Sequence, residues 1–118
     1  MTTQSVDPQS VDPKSVVAEW INEAAVIGQS DAYDAKRSNK RFEWYQQMEM
    51  LVDGETTYIN CRDIGTGGIG VSTRIKLREH SSVMIRRDSR DPWIPCRVAH
   101  CTQSIGKSSV GLQLDFVF

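Results

Sequence analysis

The sequence predicts a small, mainly β protein: a six-stranded antiparallel barrel preceded by one amphipathic helix. Three observations predict it. Helical periodicity of the apolar residues is confined to one stretch near the N-terminus, and from Phe42 onward they recur at every second position. Six alternating stretches, separated by tight turn signals, fit into about 75 residues. Closing such short strands into a barrel removes the exposed edges that an open sheet would carry. With 118 residues, 39% hydrophobic and 25% charged, the chain has the size of one domain with one core.

Residues 1–13 hold a tandem repeat, Gln4-Ser5-Val6-Asp7-Pro8 and then Gln9-Ser10-Val11-Asp12-Pro13. It has no large apolar side chain to bury and is expected to form a disordered tail. A helix is expected over 14–28, with Asp12 as its N-cap and Pro13 at a position where a missing N–H costs nothing. Val17, Trp20, Ile21, Ala24 and Ile27 share one face, and Gly28 suits the end of the helix. Residues 29–35 read as a linker and 36–118 as the barrel domain. Its first strand, 42–52, places Phe42, Trp44, Met48, Met50 and Val52 on one side. Asp53-Gly54 turns the chain into 56–61, and the glycine-dense Gly65-Thr66-Gly67-Gly68 turns it into 69–73. Strands 82–87 and 93–101 flank a turn at 88–92. The last strand sets Val110, Leu112, Leu114, Phe116 and Phe118 against Gly111, Gln113 and Asp115.

Composition narrows the function classes. No apolar run reaches the roughly 18–20 residues of a membrane span, and the N-terminus lacks the basic and apolar regions of a signal peptide, so a cytoplasmic protein without membrane insertion is expected. Three cysteines suit a reducing compartment better than a disulfide scaffold. The formal charge of −1 divides into −5 over residues 1–35 and +4 over residues 36–118, where nine of the 13 bases are arginine. Arginine pairs bidentately with phosphates and guanine edges, although a solvated basic surface is the ordinary reading of such a bias. Cys96, His100, Cys101 and Cys61 contain no C-x-x-C pair. Strand alternation puts Cys96 and His100 on one face and Cys101 on the other, unless a bulge intervenes, so no metal site is expected. Gly65–Gly70 lacks the Lys-Ser/Thr ending of a phosphate-binding loop, and neither His80 nor His100 stands in a catalytic motif. A non-enzyme without cofactor is expected.

Two segments stand out together: Arg37-Ser38-Asn39-Lys40-Arg41, an RxxxR before the first strand, and Asp63-Ile64-Gly65-Thr66-Gly67-Gly68. In this order and spacing they resemble the PilZ domain, the bacterial receptor module for cyclic di-GMP. That family carries RxxxR followed some 20–30 residues later by (D/N)-x-S-x-x-G on a six-stranded barrel. Arg97-Val98-Ala99-His100-Cys101 and Val110-Gly111-Leu112-Gln113-Leu114-Asp115-Phe116 extend the resemblance, which covers about residues 36–118.

The resemblance implies a cyclic di-GMP site made by Arg37, Arg41, Asp63, Gly65 and Gly68. Arg37 and Arg41 suit guanine N7/O6 or phosphate oxygens, and Asp63, which only accepts, suits the donor edge of guanine. Gly68 is expected to give the turn a positive φ and bring backbone N–H groups to the ligand. Gly65 stands where the family has serine, a loss of one neutral hydrogen bond worth about 0.5–1.5 kcal/mol. Two arginine contacts at about 1.5–3 kcal/mol each outweigh it. The implied function is a non-catalytic receptor or adaptor, in which ligand binding orders 36–41 and an effector protein reads the result. The alternative is a degenerate PilZ-like domain that serves as a protein-interaction module without nucleotide. A single-stranded nucleic-acid binder ranks last, because Phe42 and Trp44 lie on the apolar side of their strand. The helix face leaves a homodimer open.

Overall fold

A computed structural model of the chain describes residues 12–27 and 41–116. Most of the repeat tail, the linker with Gly28 and Arg37, and Phe118 lie outside them. One helix, α1 (Pro13–Ile27), precedes six strands: β1 (Arg41–Val52), β2 (Glu55–Gly65), β3 (Gly68–Thr73), β4 (Ser82–Arg86), β5 (Ile94–Ser104) and β6 (Lys107–Leu114). They close into an antiparallel barrel in the order β1-β2-β3-β6-β5-β4, with β4 returning to β1. The alternating side chains Met48, Met50, Ile59, Cys61, Ile64, Ile69, Val71, Val83, Ile85, Ile94, Cys96, Val98, Val110, Leu112 and Leu114 fill the interior.

Strands β2 and β5 run further than hydrophobic alternation predicts, and β6 starts earlier, at Lys107, but ends at Leu114, so Phe116 lies beyond it. Backbone pairing carries β2 on to Gly65, opposite Arg41, and β5 and β6 meet at an Ile105-Gly106 turn through polar residues. Ladder bonds, unlike apolar periodicity, do not need a buried side chain at each second position. Asp53 and Gly54, with φ of 50° and 82°, form the expected tight turn between β1 and β2. Positive φ among the described residues also falls at His80 and Gly106, and neither Gly67 nor Gly68 adopts it. The expected left-handed role of Gly68 is therefore replaced by another, described below.

A bulge in β5 between Val98 and His100 changes the face of everything after it. Cys96 points into the barrel, His100 turns outward opposite Gly111, and half-buried Cys101 pairs with Val110. Cys96 and His100 thus stand on opposite faces, the reverse of simple alternation. No group of three metal-ligating side chains forms among the described residues. Burial pushes the Cys61 and Cys96 thiols up from 9.0 to about 12.

The helix begins as its cap dictates: the Asp12 carboxylate accepts the Lys14 N–H at 3.0 Å, and its carbonyl accepts those of Ser15 and Val16. Val16, Val17, Trp20 and Ala24 are buried and Ile21 packs beside them, all joined to the barrel core. Ile27 does not join them. It is 72% exposed, because the helix packs on β1 and β2 and its last turn runs beyond the wall that the earlier turns cover, while Val16 takes a place at the other end. Trp20 packs on Trp44 with ring centroids 5.9 Å apart. Trp44 Nε1 donates to Glu23 at 3.1 Å, and Arg87, just past β4, donates to both oxygens of the same carboxylate at 3.1 and 2.9 Å. One glutamate on the helix thus ties two parts of the barrel. No helix among the described residues is long and apolar enough to cross a membrane.

Truncating Trp20 removes a buried ring and leaves a cavity, so Trp20→Ala is expected to lower stability by about 3–5 kcal/mol, and Ile27→Ala by no more than about 0.5 kcal/mol. Urea unfolding of both variants checks the difference. The buried thiols give a second expectation. The unfolded chain loses these protons near pH 9 and the folded one near 12, so stability falls as pH rises through that interval. In the native protein Cys101 is alkylated ahead of Cys61 and Cys96, which mass spectrometry after brief iodoacetamide treatment reads directly.

Candidate functional site

Directly opposed residues in a sheet share a face, so the registers define rows across the outer wall. One row runs Glu43, Asp63, Gly70, Gly111, His100 over β1, β2, β3, β6 and β5. At the adjoining end Arg41 faces Gly65 on β1 and β2, and Gly68, Gln113 and Arg97 stand in line on β3, β6 and β5. The intervening Ile64, Ile69, Leu112 and Val98 point inward and are buried. The outer face at this end of the barrel therefore carries glycine at Gly65, Gly68, Gly70 and Gly111.

Three of these glycines leave room that a neighbouring side chain occupies. A Cβ on Gly70 would stand 2.8 Å from both carboxylate oxygens of Asp63. On Gly68 it would meet Arg41 Nη2 at 3.0 Å and the Leu112 carbonyl oxygen at 2.5 Å. On Gly111 it would run into the imidazole of His100, Nε2 foremost. Close approach is the use of these glycines, which in a strand interior otherwise weaken the sheet. Arg41 Nη1 donates to Asp63 Oδ1 at 3.0 Å. With side chains only 24% and 17% exposed, the pair is partly withdrawn from water and stronger than a surface ion pair.

The structure thus brings together four of the five residues singled out in the sequence: Arg41, Asp63, Gly65 and Gly68. Arg37 lies outside the described residues. Two expectations change. Arg41 does not precede the first strand but is its first residue, and it is already paired with Asp63. Asp63 does not follow a strand ended at 61 but lies within β2, which continues to Gly65. Other arginines serve packing: Arg86 holds Glu49 at 2.7 Å and covers the Trp93 ring at 4.0 Å, and Arg87 holds Glu23. Gly70, Gly111 and His100 were not singled out. The two-residue spacing of Gly68 and Gly70 puts both on one face and is a signal for the first of them. The meeting of Gly70 with Gly111 depends on the β3–β6 register, and the outward turn of His100 depends on the bulge.

Solved structures of low sequence identity share this fold. The Bacillus subtilis inhibitor of motility, MotI/DgrA, matches over 70% of this chain and 44% of its own, with a TM-score of 0.57 and 13% identity. Escherichia coli YcgR, crystallised in complex with c-di-GMP, matches over 67% of this chain and 38% of its own, with a TM-score of 0.51 and 14% identity. The chain spans less than half the length of either. No family model matches the sequence, and no curated protein does. The closed six-stranded barrel with its N-terminal helix is a PilZ-like fold.

The two kinds of close approach have different consequences. Gly68→Ala drives a methyl against the backbone carbonyl of Leu112, which cannot step aside, and is expected to cost about 1–3 kcal/mol of stability. Gly70→Ala first meets the movable end of Asp63 and is expected to cost less, while displacing the carboxylate from Arg41. Denaturant unfolding ranks the two variants, and a crystal structure of Gly70→Ala shows whether the pair has opened.

Proposed function

We propose that this chain is a non-catalytic receptor for cyclic di-GMP, and that the ligand sits on the outer wall over β2 and β3 where the 37–41 segment enters the barrel. The observation that carries the reading is the Arg41–Asp63 pair seated over Gly68 and Gly70. It places a forked donor and an acceptor-only group side by side where two strand positions lack a Cβ. Asp63 Oδ1 takes the arginine, and Oδ2 faces the donor edge of a guanine. Arg41 supplies a delocalised cation for guanine N7/O6 or a phosphate, and its plane stacks on a base. Arg37, four residues earlier in the same motif, supplies the second guanidinium. The fold shared with YcgR, which was solved with c-di-GMP, and the motif order in the sequence support the same reading. The 28–40 segment joins a helix docked on β1 to the start of β1 itself, so a ligand held by Arg37 and Arg41 changes the surface beside that helix. An effector protein reads that surface.

The Arg41–Asp63 pair also favours a second reading, because it gives each group a partner without any ligand. On that reading the domain is a protein-interaction module that binds no nucleotide. Calorimetric titration with cyclic di-GMP, with GMP and cyclic GMP as controls, separates the two. Binding of the cyclic dinucleotide alone is expected, and absence of heat at any concentration favours the interaction module.

Arg41→Ala and Arg37→Ala are each expected to abolish detectable binding in the same titration. Arg41→Ala also lowers the melting temperature slightly, because it leaves Asp63 without its partner, whereas Arg37→Ala does not. Gly65 lies in β2 without positive φ, so serine is compatible with its backbone. Gly65→Ser restores the hydroxyl that the family motif carries and is expected to tighten binding by about 0.5–1.5 kcal/mol. Unchanged affinity in a well-folded serine variant would place the ligand away from this turn.

A further inference from the structure

The wall carrying Arg41 and Asp63 does not end at β3. Its row continues through Gly111 on β6 to His100 on β5, and the imidazole folds back over Gly111 as the Asp63 carboxylate lies over Gly70. Gly70 and Gly111 are directly opposed, so these two side chains rest on neighbouring positions, with roughly 4.5–5.5 Å between the sites where their Cβ atoms would be. Asp63 has Arg41 as its partner. The imidazole has no hydrogen-bond or ion-pair partner among the described residues and is exposed. A glycine opposite it, in the interior of a strand, is a weak choice for the sheet, and here the three atoms nearest its missing Cβ all belong to this ring. Gly68, by contrast, is also required by the Leu112 carbonyl.

We infer that His100 is a ligand-contacting residue. It extends the site across β6, so that the dinucleotide spans the wall from Arg41 to His100 instead of resting on the β2–β3 turn alone. The inference rests on the cyclic di-GMP reading. A ligand built of two nucleotide halves is long enough to meet Asp63 with one guanine and to bring a phosphate oxygen to the imidazole one strand further on. There the ring donates one N–H to that oxygen, a charge-assisted bond to an anion. Gly111 is a positioning residue, acting by letting the ring lie against the sheet.

The test is titration of cyclic di-GMP into the wild-type chain, His100→Ala, His100→Gln, Gly111→Ala and the His100→Ala/Gly111→Ala double variant, with a melting curve for each. His100→Ala is expected to weaken binding about tenfold or more with its melting temperature unchanged, as loss of a hydrogen bond to a charged group predicts. His100→Gln, which keeps a donor, recovers part of that loss. Gly111→Ala weakens binding by displacing the ring, and the double variant is no weaker than His100→Ala, because the glycine acts through the histidine. Wild-type binding with His100→Ala within about twofold of it overturns the inference and leaves the cyclic di-GMP reading standing. No binding by the wild type overturns both.

Discussion

Closure of the barrel through β1 is the constraint on which the rest depends. β1 is twelve residues long and pairs with β2 along its length, but β4 reaches it only at Glu49, Met50 and Leu51. The first half of β1 therefore has no strand on its other side, and an open strand edge needs a cover. The bulge between Glu43 and Gln46 falls in this half, and the helix covers it. Trp20 lies on Trp44, and Glu23 receives both the indole N–H and the Arg87 guanidinium. The helix is in this sense part of the barrel wall, although it precedes it in the chain.

The same half of β1, paired on one side alone, carries the candidate site. Its first residue, Arg41, faces Gly65 on the long β2, and from there the side chain reaches Asp63. Gly68 and Gly70 remove two Cβ atoms where a guanidinium and a carboxylate come down to the sheet, and Gly111 does so for an imidazole on the far side of β6. A flat, weakly substituted patch on an otherwise ordinary sheet costs intrinsic strand stability. The interior beneath it is filled by Ile64, Ile69, Val98 and Leu112, so packing inside the barrel offsets that cost without constraining the outer face.

Partial desolvation of the Arg41–Asp63 pair bears on both functional readings. An ion pair already formed holds its two groups in place before any ligand arrives, which lowers the ordering cost of binding. The pair also gives up some of its own hydrogen bonding if a guanine takes over one carboxylate oxygen. The competition is mild, because a carboxylate has acceptor sites enough for both. The second guanidinium of the RxxxR motif is then the component that distinguishes a receptor from a structural pair.

The helix and its cap, the alternation of β1, the Asp53-Gly54 turn and the six-strand count were legible in the sequence, because each is set by residues near one another in the chain. The grouping of Arg41, Asp63, Gly65 and Gly68 was legible from motif order. What was not legible depends on how elements distant in sequence meet. The docking of the helix left Ile27 beyond the wall while it buried Val16. The register between strands carried β2 through Asp63 to Gly65 and set Gly111 against Gly70. One extra residue in β5 turned His100 outward and kept Cys96 inside, a reversal that no periodicity reveals because a bulge shifts the face without changing composition. By itself the sequence determined which residues supply the guanidinium, carboxylate and glycine positions of the candidate site. The tertiary structure decided which of them share a surface, because side chains meet across a sheet only where the backbone ladders of separate strands align.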